Sequence, residues 1–159
     1  MLEKVQDDPG VVAVLDKRRK ELNRVFQQCA RGQGGLKKAG VLQLTMAAFL
    51  DEVGKRGLIK DLDVRPTPSV VGTVLPSVHT NLSHLDVKGA FATAQNKGDD
   101  AAGGDASDMH VDFDEFCACL ALCGHIKYAE VEQMDLAQRV AGIITNLLKE
   151  GAISHAKRG

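Results

Sequence analysis

The feature of this chain that most constrains its fold is a six-residue pattern that occurs once in each half. The first copy runs from Leu44 to Phe49 and the second from Val111 to Phe116. In both copies an aliphatic residue is followed five positions later by a phenylalanine, and segments with helical spacing of apolar residues lie on either side. The pattern predicts a mainly α fold made of two helix–loop–helix units, whose loops meet in a minimal β contact of two residues per strand.

Glycine, proline and capping residues divide the chain around this repeat. Ser83 with Asp86, and Asp112 with Glu115, match the capping-box pattern and predict where the third and fourth helices begin. The first helix, over 11–30, is expected to end at the glycine cluster that follows it, and an apolar stripe from about Glu130 predicts a closing helix. The predicted divisions are an N-terminal tail at 1–10, a first unit at 11–59, a proline-containing linker at 60–82, a second unit at 83–128, a C-terminal helix at 129–150 and a tail at 151–159.

Two segments within these divisions have a composition unlike the rest. Residues 97–108 are rich in glycine, alanine and aspartate and contain no large apolar side chain, so we predict a disordered insertion in the second unit. The linker holds three of the four prolines and is expected to contain one helical turn from Ser69 to Leu75.

Charge and hydropathy exclude two classes of partner. Lys and Arg together number 20 and Asp and Glu 21, for a net charge of −1, which argues against a general nucleic-acid binder. The longest apolar run, from Phe116 to Cys123, is far shorter than the ~20 residues that span a bilayer. We therefore expect a soluble cytoplasmic protein with no nucleic-acid partner and no membrane partner.

Catalytic signatures are missing from the sequence. It contains no G-x-S-x-G, no phosphate-binding P-loop and no H-E-x-x-H, and its five histidines are scattered without the spacing of ligands or of a triad. Cys29, Cys117, Cys119 and Cys123 form no C-x-x-C pair and are interpreted as small buried hydrophobes in a reducing compartment. We expect neither an enzyme nor a bound cofactor.

The second copy of the pattern resembles the end of an EF-hand calcium loop. Val111, Asp112, Glu115 and Phe116 match the aliphatic, acidic, bidentate-glutamate and aromatic positions of that motif. Loop positions 1 and 3 fall on Gly104 and Ala106, which have no side-chain oxygen, and any calcium would be held by Asp108, Asp112 and Glu115.

The first copy departs further from the EF-hand motif. It has Ala48 where the bidentate glutamate would stand, and two lysines, Lys37 and Lys38, precede it. Both copies therefore retain the apolar framework of the motif, and we expect neither to bind calcium.

Taken together, these segments resemble the degenerate paired EF-hand domain of ciliary and flagellar axonemal proteins. The resemblance rests on Phe26 ahead of a glycine-rich loop, on the segment from Met46 to Ile59, and on the segment from Val111 to Tyr128. It covers about residues 11–150, and tubulin polymerisation-promoting proteins are a weaker match. The resemblance implies a calcium-independent structural or docking module of a cilium or flagellum axoneme, part of the cytoskeleton, with tubulin, microtubules or other axonemal subunits as partners.

Two sets of residues are candidates for contact with such a partner. The basic run Lys17, Arg18, Arg19 and Lys20, extended by Arg24, is either a solvated helix face or a docking surface for an acidic partner. Met46 and Met134 either pack in the core or line a groove between the helix pairs. The groove would serve an alternative function, in which the protein is a calcium-responsive, calmodulin-like regulatory subunit that binds a partner helix.

Overall fold

The computed structural model describes residues 2–32, 37–38, 40–59, 62–64, 72, 78–95 and 110–158. This part of the chain is mainly helical, as the sequence predicts. Its helices are α1 (Leu2–Asp7), α2 (Pro9–Lys17), α3 (Arg19–Gly32), α4 (Met46–Lys55), α5 (His84–Ala94), α6 (Phe113–Lys127) and α7 (Leu136–Arg158). Its strands are β1 (Lys37–Lys38), β2 (Val41–Leu42), β3 (Leu44–Thr45), β4 (Leu62–Val64), β5 (Val78–Thr80) and β6 (His110–Val111).

The N-terminal segment is helical, which corrects the prediction of a tail at residues 1–10. Helix α1 packs on α6 and buries Val5, and the Asp8 side chain caps α2 by accepting the N–H of Val11 at 3.0 Å. Pro9 occupies the first turn of α2, where its missing N–H costs nothing. The segment is therefore part of the core packing.

The first predicted helix, over 11–30, is divided at Arg18 into α2 and α3. The Arg18 N–H ends the hydrogen bonding of α2 by donating to Val14 O at 3.3 Å, and the Arg18 carbonyl begins that of α3 by accepting the Leu22 N–H at 3.0 Å. Across the division, Arg19 approaches Asp16 at 3.9 Å, so side chains three positions apart are neighbours there, as they are on one helix.

The strands form three separate antiparallel pairs among the described residues. Strand β3 pairs with β6, which confirms the predicted small β contact between the two halves and shows that it is antiparallel. Strands β1 and β2 pair around Gly40, whose φ of 81° is readily adopted by glycine. Strands β4 and β5 pair within the segment predicted as a linker at 60–82. The predicted helical turn at 69–75, apart from Gly72, and the predicted insertion at 97–108 lie outside the described residues.

Helix α6 lies at the centre of the packing. Every residue from Phe116 to Gly124 is buried, because α1, α3, α5 and α7 all pack against this helix. A helix enclosed in this way is apolar around its whole circumference, which explains the unbroken apolar run in the sequence.

Helix α7 covers α6 and also contacts α2. It begins at Leu136 after a capping box in which Asp135 and Gln138 accept each other's backbone N–H at 2.8 Å. The start expected near Glu130 is therefore several residues too early. The helix continues to Arg158, so the division into a helix at 129–150 and a tail at 151–159 is also corrected.

Candidate functional site

The two copies of the sequence pattern meet at equivalent residues. Leu44 in β3 lies opposite Val111 in β6, and both are fully buried. The next residue of each copy caps the following helix, since Thr45 accepts the N–H of Ala48 at 3.2 Å and Asp112 accepts the N–H of Glu115 at 2.9 Å. The pattern thus produces the same local structure twice, an extended residue followed by a capped helix.

Phenylalanines from four helices pack together next to the contact between Leu44 and Val111. The rings of Phe26 on α3 and Phe116 on α6 are 5.3 Å apart, and those of Phe49 on α4 and Phe91 on α5 are 5.8 Å apart. Phe49 and Phe116, the final residues of the two copies, meet edge-on at 5.9 Å. If the two halves are exchanged, so that Phe26 takes the place of Phe91 and Phe49 that of Phe116, the Phe26–Phe116 contact becomes the Phe49–Phe91 contact. The Phe49–Phe116 contact is unchanged by the exchange. The three contacts therefore fit an approximate twofold axis between the halves.

The residues proposed as calcium ligands are used to cap a helix. Glu115 Oε1 accepts the Asp112 N–H at 3.0 Å, which completes the capping box of α6. Ala48 occupies the equivalent place in α4 and has no side-chain oxygen, while Asp108 lies outside the described residues. Among the residues that the structure describes, no three metal-binding side chains converge. The absence of calcium binding stays a prediction.

The predicted basic surface divides into two kinds of residue. Arg18 forms an ion pair with Glu21 at 3.6 Å. Arg19 bonds Asp114 at 3.2 Å, approaches Asp16 at 3.9 Å, and lies over the ring of Phe113. These two arginines therefore interact with this chain's own groups.

The other three cations of the run are exposed. Lys17, Lys20 and Arg24 form no ion pair with any carboxylate in the described part of the chain. Their spacings of three and four residues place them along one side of α2 and α3. We call these three residues the basic row.

Both methionines pack in or against the core. Met46 is buried at the start of α4, and its role in binding a partner stays a prediction. Met134 is half-buried, packs against the core and lies beside Gly142 in the α6–α7 region. Core packing, the other interpretation drawn from the sequence, accounts for both side chains.

Burial raises the pKa of the thiols of Cys29, Cys117 and Cys119. Cys117, Cys119 and Cys123 are buried and Cys29 is half-buried, as expected for small hydrophobic side chains. Burial raises the pKa of Cys117 to about 12, and burial together with the nearby Glu52 raises the pKa of Cys29 to about 12. A thiol with so high a pKa is a poor nucleophile at neutral pH.

Sequence reasoning missed a cleft between α1, α2 and α6. The cleft has a volume of about 230 Å³, and Arg19 lies at its edge with both of its aspartate partners. Its lining residues are Val5, Gln6, Val12, Leu15, Asp16, Arg19, Asp114, Cys117, Ala118 and Ala121. The signal available in the sequence was the Asp8-Pro9 helix start, which indicates that structure begins before residue 11.

Comparison of the chain with family models, with curated proteins and with solved structures finds no match in any of the three. Among the described residues, no helix combines the length and the apolar character needed to cross a membrane.

Proposed function

We propose that this protein is a calcium-independent docking module built on a degenerate pair of EF-hand-like units. Two features support the paired architecture: the contact between Leu44 and Val111, and the exchange symmetry of the phenylalanine contacts around it. Calcium independence is supported by Ala48, which offers no carboxylate at the position where an EF-hand loop has its bidentate ligand. In this proposal the two units serve to pack the protein and to present a surface to a partner, and they do not serve to bind calcium.

The proposed partner is an acidic filament, a microtubule or another axonemal subunit, in the cytoskeleton of a cilium or flagellum. The observation that carries this part of the proposal is the basic row, three exposed cations on one side of α2 and α3 in a protein whose net charge is −1. Opposite charge on a partner surface accelerates encounter and fixes its orientation. Arg18 and Arg19 contribute less to this surface, since neighbouring carboxylates already offset their charge.

Co-sedimentation with purified microtubules tests this function. A variant with Lys17, Lys20 and Arg24 all changed to Glu should bind much more weakly than the wild type, and its binding should depend less on salt. Lys88→Glu serves as the control, because Lys88 is an exposed cation on the separate helix α5. The triple variant should still fold, since exposed substitutions change the free energy of unfolding by roughly 0.5 kcal/mol or less.

Three results would contradict the proposal. Wild-type protein that stays in the supernatant at low salt would exclude microtubules as the partner. Equal pelleting of the wild type and the triple variant would remove the basic row from the interaction. Pelleting that requires added calcium would favour the calcium-responsive regulatory subunit instead.

A further inference from the structure

The cleft between α1, α2 and α6 has an apolar floor and a charged edge. Its floor is made by Val5, Cys117, Ala118 and Ala121, all of them buried residues with small or medium side chains. Val12 lines the cleft and is 43% exposed, whereas most large apolar side chains of the described residues are buried or partly buried. Apolar surface is therefore accessible from solvent at this point.

The size of the cleft limits what it can hold. Its volume of about 230 Å³ is below the roughly 300–1,000 Å³ of pockets that bind drug-sized molecules. It exceeds the roughly 150 Å³ of an engineered protein cavity that binds benzene. The cleft therefore matches one large apolar side chain, such as phenylalanine or leucine, better than a whole small molecule.

The basic row continues from the edge of this cleft. Val12 and Asp16, which line the cleft, and Lys20 and Arg24, which belong to the row, are spaced four residues apart along α2 and α3. Each of these residues is a helical neighbour of the next, and the ion pair between Asp16 and Arg19 at 3.9 Å spans the division at Arg18. The apolar recess, whose edge holds Asp16 and Asp114 with their partner Arg19, is thus followed along the helices by a line of exposed cations.

We propose that this surface binds an acidic peptide segment whose one large apolar side chain enters the cleft. The acidic residues of the peptide pair with Lys17, Lys20 and Arg24, and the apolar residue is buried against Val12 and the floor of the cleft. Charge complementarity selects an acidic partner, and the volume of the cleft selects a single anchor residue. This inference rests on the proposed function and specifies the chemistry of the partner segment.

Fluorescence anisotropy with a short synthetic peptide tests the inference. The probe carries one phenylalanine followed by a run of glutamates in a glycine–serine background. Two matched peptides replace the phenylalanine by alanine, or the glutamates by glutamines. Loss of the phenylalanine should weaken binding by roughly tenfold to a hundredfold, the effect of burying such a side chain. Loss of the glutamates should weaken it roughly tenfold or more at low salt.

Variants of the protein separate the cleft from the basic row. Val12→Asn should weaken binding of the phenylalanine peptide roughly tenfold and leave the alanine peptide unaffected, because it places an uncharged polar group at the mouth of the cleft. The change of Lys17, Lys20 and Arg24 to Glu should weaken both peptides, whereas Lys88→Glu should weaken neither.

The outcomes distinguish this inference from the proposed function. If the phenylalanine and alanine peptides bind equally, the cleft has no role in binding, although the basic row can still be the docking surface. If the triple variant also binds both peptides as the wild type does, the basic row fails too. The peptide comparison uses wild-type protein, so a variant that misfolds does not affect it.

Discussion

The contact between α6 and α7 can be tested at Gly124 of α6, because a side chain at this position would meet α7. A Cβ atom at Gly124 would lie 2.7 Å from the carbonyl oxygen of Arg139 and 2.8 Å from Cγ2 of Ile143. Both distances are well below van der Waals contact, and one of the two atoms belongs to the backbone of α7. The substitution Gly124→Ala therefore requires α7 to move away from α6.

The magnitude follows from two opposing effects. Alanine in place of glycine within a helix stabilises it by about 1 kcal/mol. Insertion of a methyl group into a tightly packed contact costs about 1–3 kcal/mol. Gly89 in α5 provides the control, because a Cβ atom there meets no atom within 4 Å and only the stabilising effect remains. We expect Gly124→Ala to be less stable than Gly89→Ala by about 1–3 kcal/mol.

Urea unfolding followed by circular dichroism measures this difference directly. In thermal melts it corresponds to about 2–4 °C for each kcal/mol in a chain of this size. A Gly124→Ala variant as stable as Gly89→Ala would show that α7 does not approach α6 in the way described.

Three further predictions concern single side chains. Asp112→Ala should lower the free energy of unfolding by about 1 kcal/mol in urea titrations, because it removes the cap of α6. Burial and the nearby Arg139 and Lys4 lower the pKa of His125 below its ordinary 6.5, so the unfolded chain binds the extra proton more readily. Stability should therefore fall as the pH drops through 6.5, and His125→Gln should flatten that dependence in urea titrations across this range. Burial of Cys117 should keep its reaction with Ellman's reagent slow until urea unfolds the chain, whereas rapid labelling of the native protein would contradict its pKa of about 12.

Local signals in the sequence were enough to predict the parts of the fold that depend on neighbouring residues. The capping boxes at Ser83 and Asp112 occur where the sequence places them, because each needs only two residues three positions apart. The β contact at Leu44 and Val111 was also predictable, since the repeated pattern aligns these two residues.

The remaining differences come from contacts between distant segments. Val5 is buried in α1, but this six-residue helix contains only two apolar residues, Leu2 and Val5, which are too few to establish a helical periodicity. Strands β4 and β5 are short and separated by a proline-rich segment, so nothing local indicates that they pair. The start of α7 could have been located, because Asp135 and Gln138 match the same capping-box pattern that was used elsewhere.

The candidate site was only partly predictable for a similar reason. The sequence shows the basic run but cannot show that Asp114, ninety-five residues away, pairs with Arg19. Only the folded chain separates the cations already paired from the three of the basic row. The cleft likewise requires residues from α1, α2 and α6 to come together, which no local pattern encodes.

Microtubule co-sedimentation of the wild-type protein in excess calcium and in excess chelator is the most direct test of calcium-independent docking. We predict the same bound fraction in both conditions at low salt, because Ala48 and the helix-capping Glu115 leave neither unit dependent on calcium. Binding should also decrease as salt increases, since the basic row provides the contact. Binding that appears only with calcium, or no binding in either condition, would contradict calcium-independent docking.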